Sequence, residues 1–133
     1  MPITFNGWET SFNVLTGGGL TDKTPKGNPC RRAFIDHQGP STPRESWDPT
    51  TTLFAVRGNS GASGGGGDSK HFYKVHRGGY NRVNKTDGTN LWVDGGGAVT
   101  NEAYLIPAVA SATIANAIDE MLNRPPKKQD ALL

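Results

Sequence analysis

Six of the ten residues in the run GNSGASGGGG, residues 58–67, are glycine. No other stretch limits the possible folds as strongly. So much glycine carries a large entropic cost of ordering and brings almost no side chain to pack, so the run can be neither helix nor strand interior. It must be a cradle for phosphate, a linker between two domains, or the tip of a hairpin. A phosphate-binding loop of the form G-x-x-x-x-G-K-[ST] needs lysine directly after its last glycine and a helix behind it. Here Asp68 and Ser69 stand before Lys70, and strand-like residues follow. The stretch GGLTDKT, residues 18–24, places Lys23 and Thr24 at the right distance but has Asp22 where the second glycine belongs. A linker requires two parts that each fold alone. A chain of 133 residues that is 34% hydrophobic, with Gly 18 and Pro 9, has too few apolar residues on either side for that. The run therefore reads as the tip of a hairpin in one domain spanning residues 1–133.

Such a chain is short of core material, which raises the expectation that part of its core comes from a second copy. Its net charge of +2 names no partner by itself. Its one cysteine, Cys30, has no second thiol to pair with inside the chain, so it reads as an idle or buried thiol ahead of an inter-subunit bridge. The opening MPITFNGWETSF lacks the charged and apolar segments of a signal peptide. No apolar run approaches the roughly 18 residues that cross a bilayer.

The pattern along the chain predicts an α+β fold. Residues 2–7 alternate Ile3 and Phe5 with Thr4 and Asn6, and residues 10–16 alternate Phe12 and Val14, so the two runs read as an N-terminal β-hairpin turning at Gly7-Trp8-Glu9. Residues 30–38, 50–58 and 70–77 read as a third, fourth and fifth strand, the last two pairing across the glycine run. Gly78-Gly79 marks a bend before residues 80–83, and Asp87-Gly88 a turn before a sixth strand at residues 90–94. The glycine-free residues 100–123 read as a C-terminal helix, capped by Thr100 or Asn101 and kinked or split at Pro107. Ala110, Ile114, Ala117, Ile118 and Met121 fall on one face of it. Residues 1–99 form the sheet region, 100–124 the helical region and 125–133 a tail.

Catalytic and metal chemistry find no support. His37, His71 and His76 form no H-E-x-x-H pair and no Cys/His pair at metal spacing, and no G-x-S-x-G elbow occurs. The chain is expected to be no enzyme and to need no cofactor. One cluster stands out. KHFYKVHRGGYNRVNK, residues 70–85, holds five Lys/Arg, two His and three aromatic residues, while all 12 acidic residues lie elsewhere. Cations meet phosphates and rings stack on unpaired bases, so interleaving the two suits single-stranded or looped RNA. Alternation puts Phe72, Lys74 and His76 on one face, with Arg57 from the neighbouring strand extending it, and Arg77, Arg82 and Lys85 add charge. A solvated sheet face whose cations protect an edge remains equally open from the cluster alone.

In layout the chain resembles the coat proteins of single-stranded RNA bacteriophages, the leviviruses. HFYKVH, residues 71–76, is similar to the RNA-contacting strand of some members. The strand–loop–strand around the glycine run resembles their exposed hairpin. Ile118-Asp119-Glu120-Met121-Leu122-Asn123 resembles the close of their helical end. The resemblance implies one antiparallel sheet with a helix or two helices laid across a partner's sheet in an interlocked homodimer, through Tyr104, Ala110, Ile114, Ala117, Ile118 and Met121. It implies assembly into an icosahedral shell, and genomic RNA held on the inner sheet face by Lys74 and His76 with Phe72 and Arg57. The location implied is the virion, after assembly in the host cytoplasm. A small monomeric RNA-binding or regulatory module using the same basic strand, and a phage decoration protein, are the alternatives.

Overall fold

The structure is a computed structural model that describes residues 1–58, 71–95 and 101–125. It is mixed α+β. In chain order the elements are β1 (Ile3–Phe5), α1 (Trp8–Ser11), β2 (Leu15–Thr16), α2 (Leu20–Lys23), α3 (Pro29–Gln38), β3 (Arg44–Glu45), α4 (Trp47–Arg57), β4 (Tyr73–Arg77), β5 (Gly79–Val83), β6 (Asn90–Asp94), β7 (Glu102–Pro107) and α5 (Ser111–Asn123). The strands form three small sheets rather than one: β1-β7-β4, β2-β3 and β5-β6. All pairings are antiparallel except β1 with β7, which is parallel in the register Ile3↔Glu102 and Phe5↔Tyr104.

Several expected elements change identity. The N-terminal hairpin does not form: a helical turn takes the start of its second strand, Leu15–Thr16 pairs with β3, and β1 pairs with β7 near the other end of the chain. Residues 30–38 are helix α3, not a strand. The reason is local: Asn28 caps the helix by accepting from the Arg31 N–H at 3.1 Å, and Pro29 at the first helical position costs no hydrogen bond. Residues 50–58 lie largely in helix α4 despite three successive threonines. Pro49 sits in its first turn, and the Thr50 and Thr51 hydroxyls donate to the Trp47 carbonyl at 2.7 and 3.1 Å. A helix therefore leads into the glycine run, and β4 pairs with β7 instead of crossing to a fourth strand. The tip itself, with Lys70, lies outside the described residues, as do Thr100 and the tail from residue 126.

The expected C-terminal helix is shorter than its sequence pattern. Residues Glu102–Pro107 are strand β7, with Ala103 and Leu105 buried, and Pro107 ends the strand rather than kinking a helix. Strand β4, the bend at Gly78 (φ +92°), strands β5 and β6, and the turn at Gly88 fall where the sequence places them.

The core gathers Val14, Leu53, Phe72, Tyr73, Leu105, Ile114, Ala115, Ala117 and Ile118. Burial pushes the Tyr73 hydroxyl up to about 12. Within the α5 stripe expected to complete a partner's sheet, Ile114, Ala117 and Ile118 are covered inside the chain itself, whereas Ala110 is exposed and Met121 half-buried. Asp119 accepts from the Gly17 N–H at 2.7 Å and ties α5 to the start of the loop after β2.

Apolar shortage is met by burying hydroxyls in pairs. Thr10, Ser11, Thr16, Ser46 and Thr50 are buried. Ser11 Oγ meets Thr50 Oγ1 at 2.6 Å, Thr16 Oγ1 bonds Ser46 Oγ, and Thr10 Oγ1 donates to the Leu105 carbonyl at 3.1 Å. Asn6 Nδ2 donates to Thr50 Oγ1 at 2.9 Å and Thr51 Oγ1 at 2.8 Å, so the end of β1 is stitched to α4. Buried polar atoms that satisfy one another add specificity without the desolvation loss of lone ones.

Candidate nucleic-acid interface

Register decides which side chains share a face. Along β4 the partners are Lys74↔Ile106, His76↔Tyr104 and Arg77↔Ala103, while β1 adds Phe5↔Tyr104. Ala103 and Leu105 face the core, so Phe5, Tyr104, Ile106, Lys74 and His76 form the opposite face. The chain bends sharply at Gly78, and the β5-β6 hairpin lies against one end of this face. The Asn81 N–H donates to Glu102 Oε2 of β7 at 2.6 Å.

Trp92 of β6 completes a ring cluster. Its centroid is 4.8 Å from that of Tyr104 and 6.0 Å from that of His76, and His76 and Tyr104 are 4.9 Å apart. Asp94 sets the geometry from the hairpin: Oδ1 lies 2.6 Å from His76 Nε2 and accepts from Trp92 Nε1 at 2.9 Å. The His76 bond first, and the indole bond second, hold the Asp94 carboxyl below its ordinary 3.8. Gly79 is required underneath: a Cβ there would lie 2.6 Å from Trp92 Nε1 and run into the Val93 carbonyl.

The structure divides the nominated RNA contacts. Lys74 and His76 share the open face, with Lys74 exposed. Phe72 does not join them; it is 4% exposed and packs edge-on to Tyr73 in the core. Arg57 ends helix α4 and lines a different cavity, because the fourth strand it was assigned to does not exist. Arg77 points with Tyr73 and Val75 away from Lys74, Arg82 lies on the hairpin face opposite Trp92, and Lys85 sits in the exposed β5-β6 turn. Tyr104, nominated for a subunit interface, belongs to the ring cluster instead. Phe5 and Trp92 escaped the sequence reading. The period-two run of Asn90, Trp92 and Asp94 on one strand face was the signal that could have found Trp92.

No protein-family model, curated protein or solved structure matches this chain. Function rests on the geometry and on the sequence resemblance alone.

One concavity adjoins the ring cluster and another lies among the helices. The first, about 620 Å³, opens between the segment from Phe5 to Glu9 and the hairpin residues Asn81, Asn90, Leu91 and Trp92, with Tyr104 at its base. The second, about 660 Å³, is an apolar groove between α3, α4 and α5, lined by Cys30, Leu53, Val56, Ile118, Met121 and Leu122 among others. Val56 on its rim is 78% exposed. Among the described residues no His, Cys, Asp and Glu side chains gather as a metal site, and no helix is long and apolar enough to cross a membrane.

Proposed function

We propose that this chain is the coat subunit of a single-stranded RNA bacteriophage, and that it holds single-stranded RNA on the face formed by Lys74, His76, Tyr104 and Trp92. The observation that carries the RNA assignment is the ring cluster beside an exposed lysine on one sheet face. His76, Tyr104 and Trp92 lie within 6.0 Å of one another. Rings held by neighbours stack on unpaired bases at little entropic cost, and each stacked base contributes about 1–3 kcal/mol. Lys74 supplies a phosphate contact at the edge of the same surface.

Assembly has its own support. The apolar groove beside α4 and α5 is a surface for a second copy: Met121, named as an interface residue from sequence, lines it together with the exposed Val56. In this reading the copies meet along the groove and need not interlock helix over sheet. A monomeric RNA-binding module is the second reading, and the burial of Ile114, Ala117 and Ile118 within the chain favours it.

One preparation separates them. The coat reading expects particles far heavier than 14.2 kDa whose absorbance falls after nuclease treatment. It expects Val56→Asp to stop assembly while the fold is kept. Fluorescence anisotropy with labelled single-stranded RNA tests the surface: Lys74→Ala should lower the salt slope of log K by about one. Monomers that bind RNA support the module. A wild-type chain that binds no RNA at low salt ends both readings.

A further inference from the structure

We infer that the cleft between the Phe5-to-Glu9 segment and the β5-β6 hairpin is a pocket for one unpaired guanine. This rests on the RNA-binding reading and adds to it a base preference, with a residue that sets it.

Three properties of the cleft point to a base rather than a phosphate. The first is its walls. Phe5, Trp8, Trp92 and Tyr104 supply aromatic surface, and Trp8 is held in place by Phe12, whose ring centroid is 4.2 Å away. Trp8 is nonetheless 61% exposed, an unusual cost for an indole. The second is its polar equipment. The pairing Asn81↔Trp92, with Asn90 two residues before Trp92, places both amides on the face of the hairpin that carries the indole. The third is its charge. Of the residues lining the cleft, Glu9 alone carries a formal charge, and no lysine or arginine lines it. A phosphate would meet a carboxylate and no cation there.

The Glu9 side chain is exposed, and its carboxylate turns back toward Gly7. Glu9 folds back over Gly7, so that a Cβ on Gly7 would lie 2.6 Å from Glu9 Oε2 and closer still to Oε1. Glycine at this position is what lets the carboxylate lie against the cleft wall. An ionised carboxylate only accepts hydrogen bonds. Guanine offers two adjacent donors on its pairing edge, N1–H and the 2-amino group, which match two carboxylate oxygens side by side. Adenine puts an acceptor, N1, in that place. Uracil offers one donor between two carbonyls, and cytosine one amino group beside an acceptor. The asparagine amides can donate to the guanine O6 and N7 acceptors. A base seated here would lie next to Tyr104 and Trp92, while its phosphates stay outside, on the side where Lys74 stands.

The test is a pair of labelled RNA hexamers, all-uridine and all-uridine with one central guanine, titrated against the full chain. A bidentate carboxylate–guanine contact predicts that the guanine hexamer binds about tenfold tighter or more. Glu9→Gln replaces one acceptor by a donor and should bring the ratio of the two affinities close to one. Lys74→Ala should weaken both hexamers and keep the ratio. Far-UV circular dichroism confirms that each variant is folded. Equal binding of the two hexamers by the wild-type chain overturns the guanine pocket while leaving the RNA surface standing. So does a preference that survives Glu9→Gln. Displacement of the guanine hexamer by maltose, a neutral sugar, overturns it in favour of a saccharide cleft. Failure of both hexamers to bind removes the RNA surface and the pocket together.

Discussion

Replacing Ile114 by alanine tests where the α5 stripe finds its cover. Ile114 is 0% exposed and belongs to a core cluster that joins α5 to residues of β4, β7 and α4 and to Val14 and Phe72 of the same chain. The substitution removes three carbons, worth about 2.4 kcal/mol at about 0.8 kcal/mol per buried methylene. The cavity left behind adds to that, and buried Ile→Ala changes cost about 2–5 kcal/mol in all. Domains of this size are stable by about 5–15 kcal/mol, so the variant should stay folded in water but lose a large share of its margin. Urea unfolding followed by tryptophan fluorescence reads the change as a lower midpoint at unchanged slope. The decisive comparison is concentration. If the stripe is covered within the chain, the cost is the same at about 1 µM and about 100 µM protein, whereas cover by a second copy makes it depend on association. A cost below about 1 kcal/mol, or one that differs between the two concentrations, would refute self-contained packing.

Thr50→Val keeps the shape of a fully buried residue and deletes the oxygen that Ser11 and Asn6 share. Asn6 keeps Thr51, but Ser11 is left without its acceptor, which should cost about 1–3 kcal/mol in the same urea assay, and a neutral outcome would mean that the buried hydroxyls do not act as a network. Asp94 gives the pH dependence. Its carboxyl is held below the ordinary 3.8, so its contribution is present above that value and is lost as pH falls through the lower folded-state value. Acid titration of tryptophan fluorescence should therefore show a step below pH 3.8 that Asp94→Asn removes. A step at the ordinary value, or one that survives the substitution, would separate Asp94 from Trp92.

Local pattern was legible in the sequence where it determined the structure. The basic strand, the Gly78 bend, the hairpin turn and the pair β5-β6 all follow period-two alternation and turn residues, which act over a few positions. It misled where two local signals competed. Thr50, Thr51 and Thr52 suggested a strand, but Asp48-Pro49 at a helix start outweighed them. Cys30 to Gln38 looked extended, but the cap at Asn28 followed by Pro29 outweighed side-chain preference. The glycine-free stretch around Ala103 read as helix although Ala103 and Leu105 alternate with Glu102 and Tyr104. There the deciding partners, β1 and β4, lie far along the chain, and no window around residue 103 contains them.

The same contrast explains the site. Counting apolar residues undervalues this core, because Thr10, Ser11, Thr16, Ser46 and Thr50 are buried as hydrogen-bonded hydroxyls that such a count treats as surface. That undercount made a partner seem necessary to cover α5, and it drew Tyr104 and Ile114 into one interface. In the folded chain they part: Ile114 goes to the core and Tyr104 to the opposite face of β7, beside His76 and Trp92. Charge was visible in the sequence as a run of cations, but among the described residues the fold distributes that run over several faces and keeps only Lys74 with the rings. The surface that results depends more on stacking than on charge. Its RNA affinity should therefore fall less with salt than five clustered cations would require, and a salt slope equivalent to about one or two phosphate contacts is the expected value.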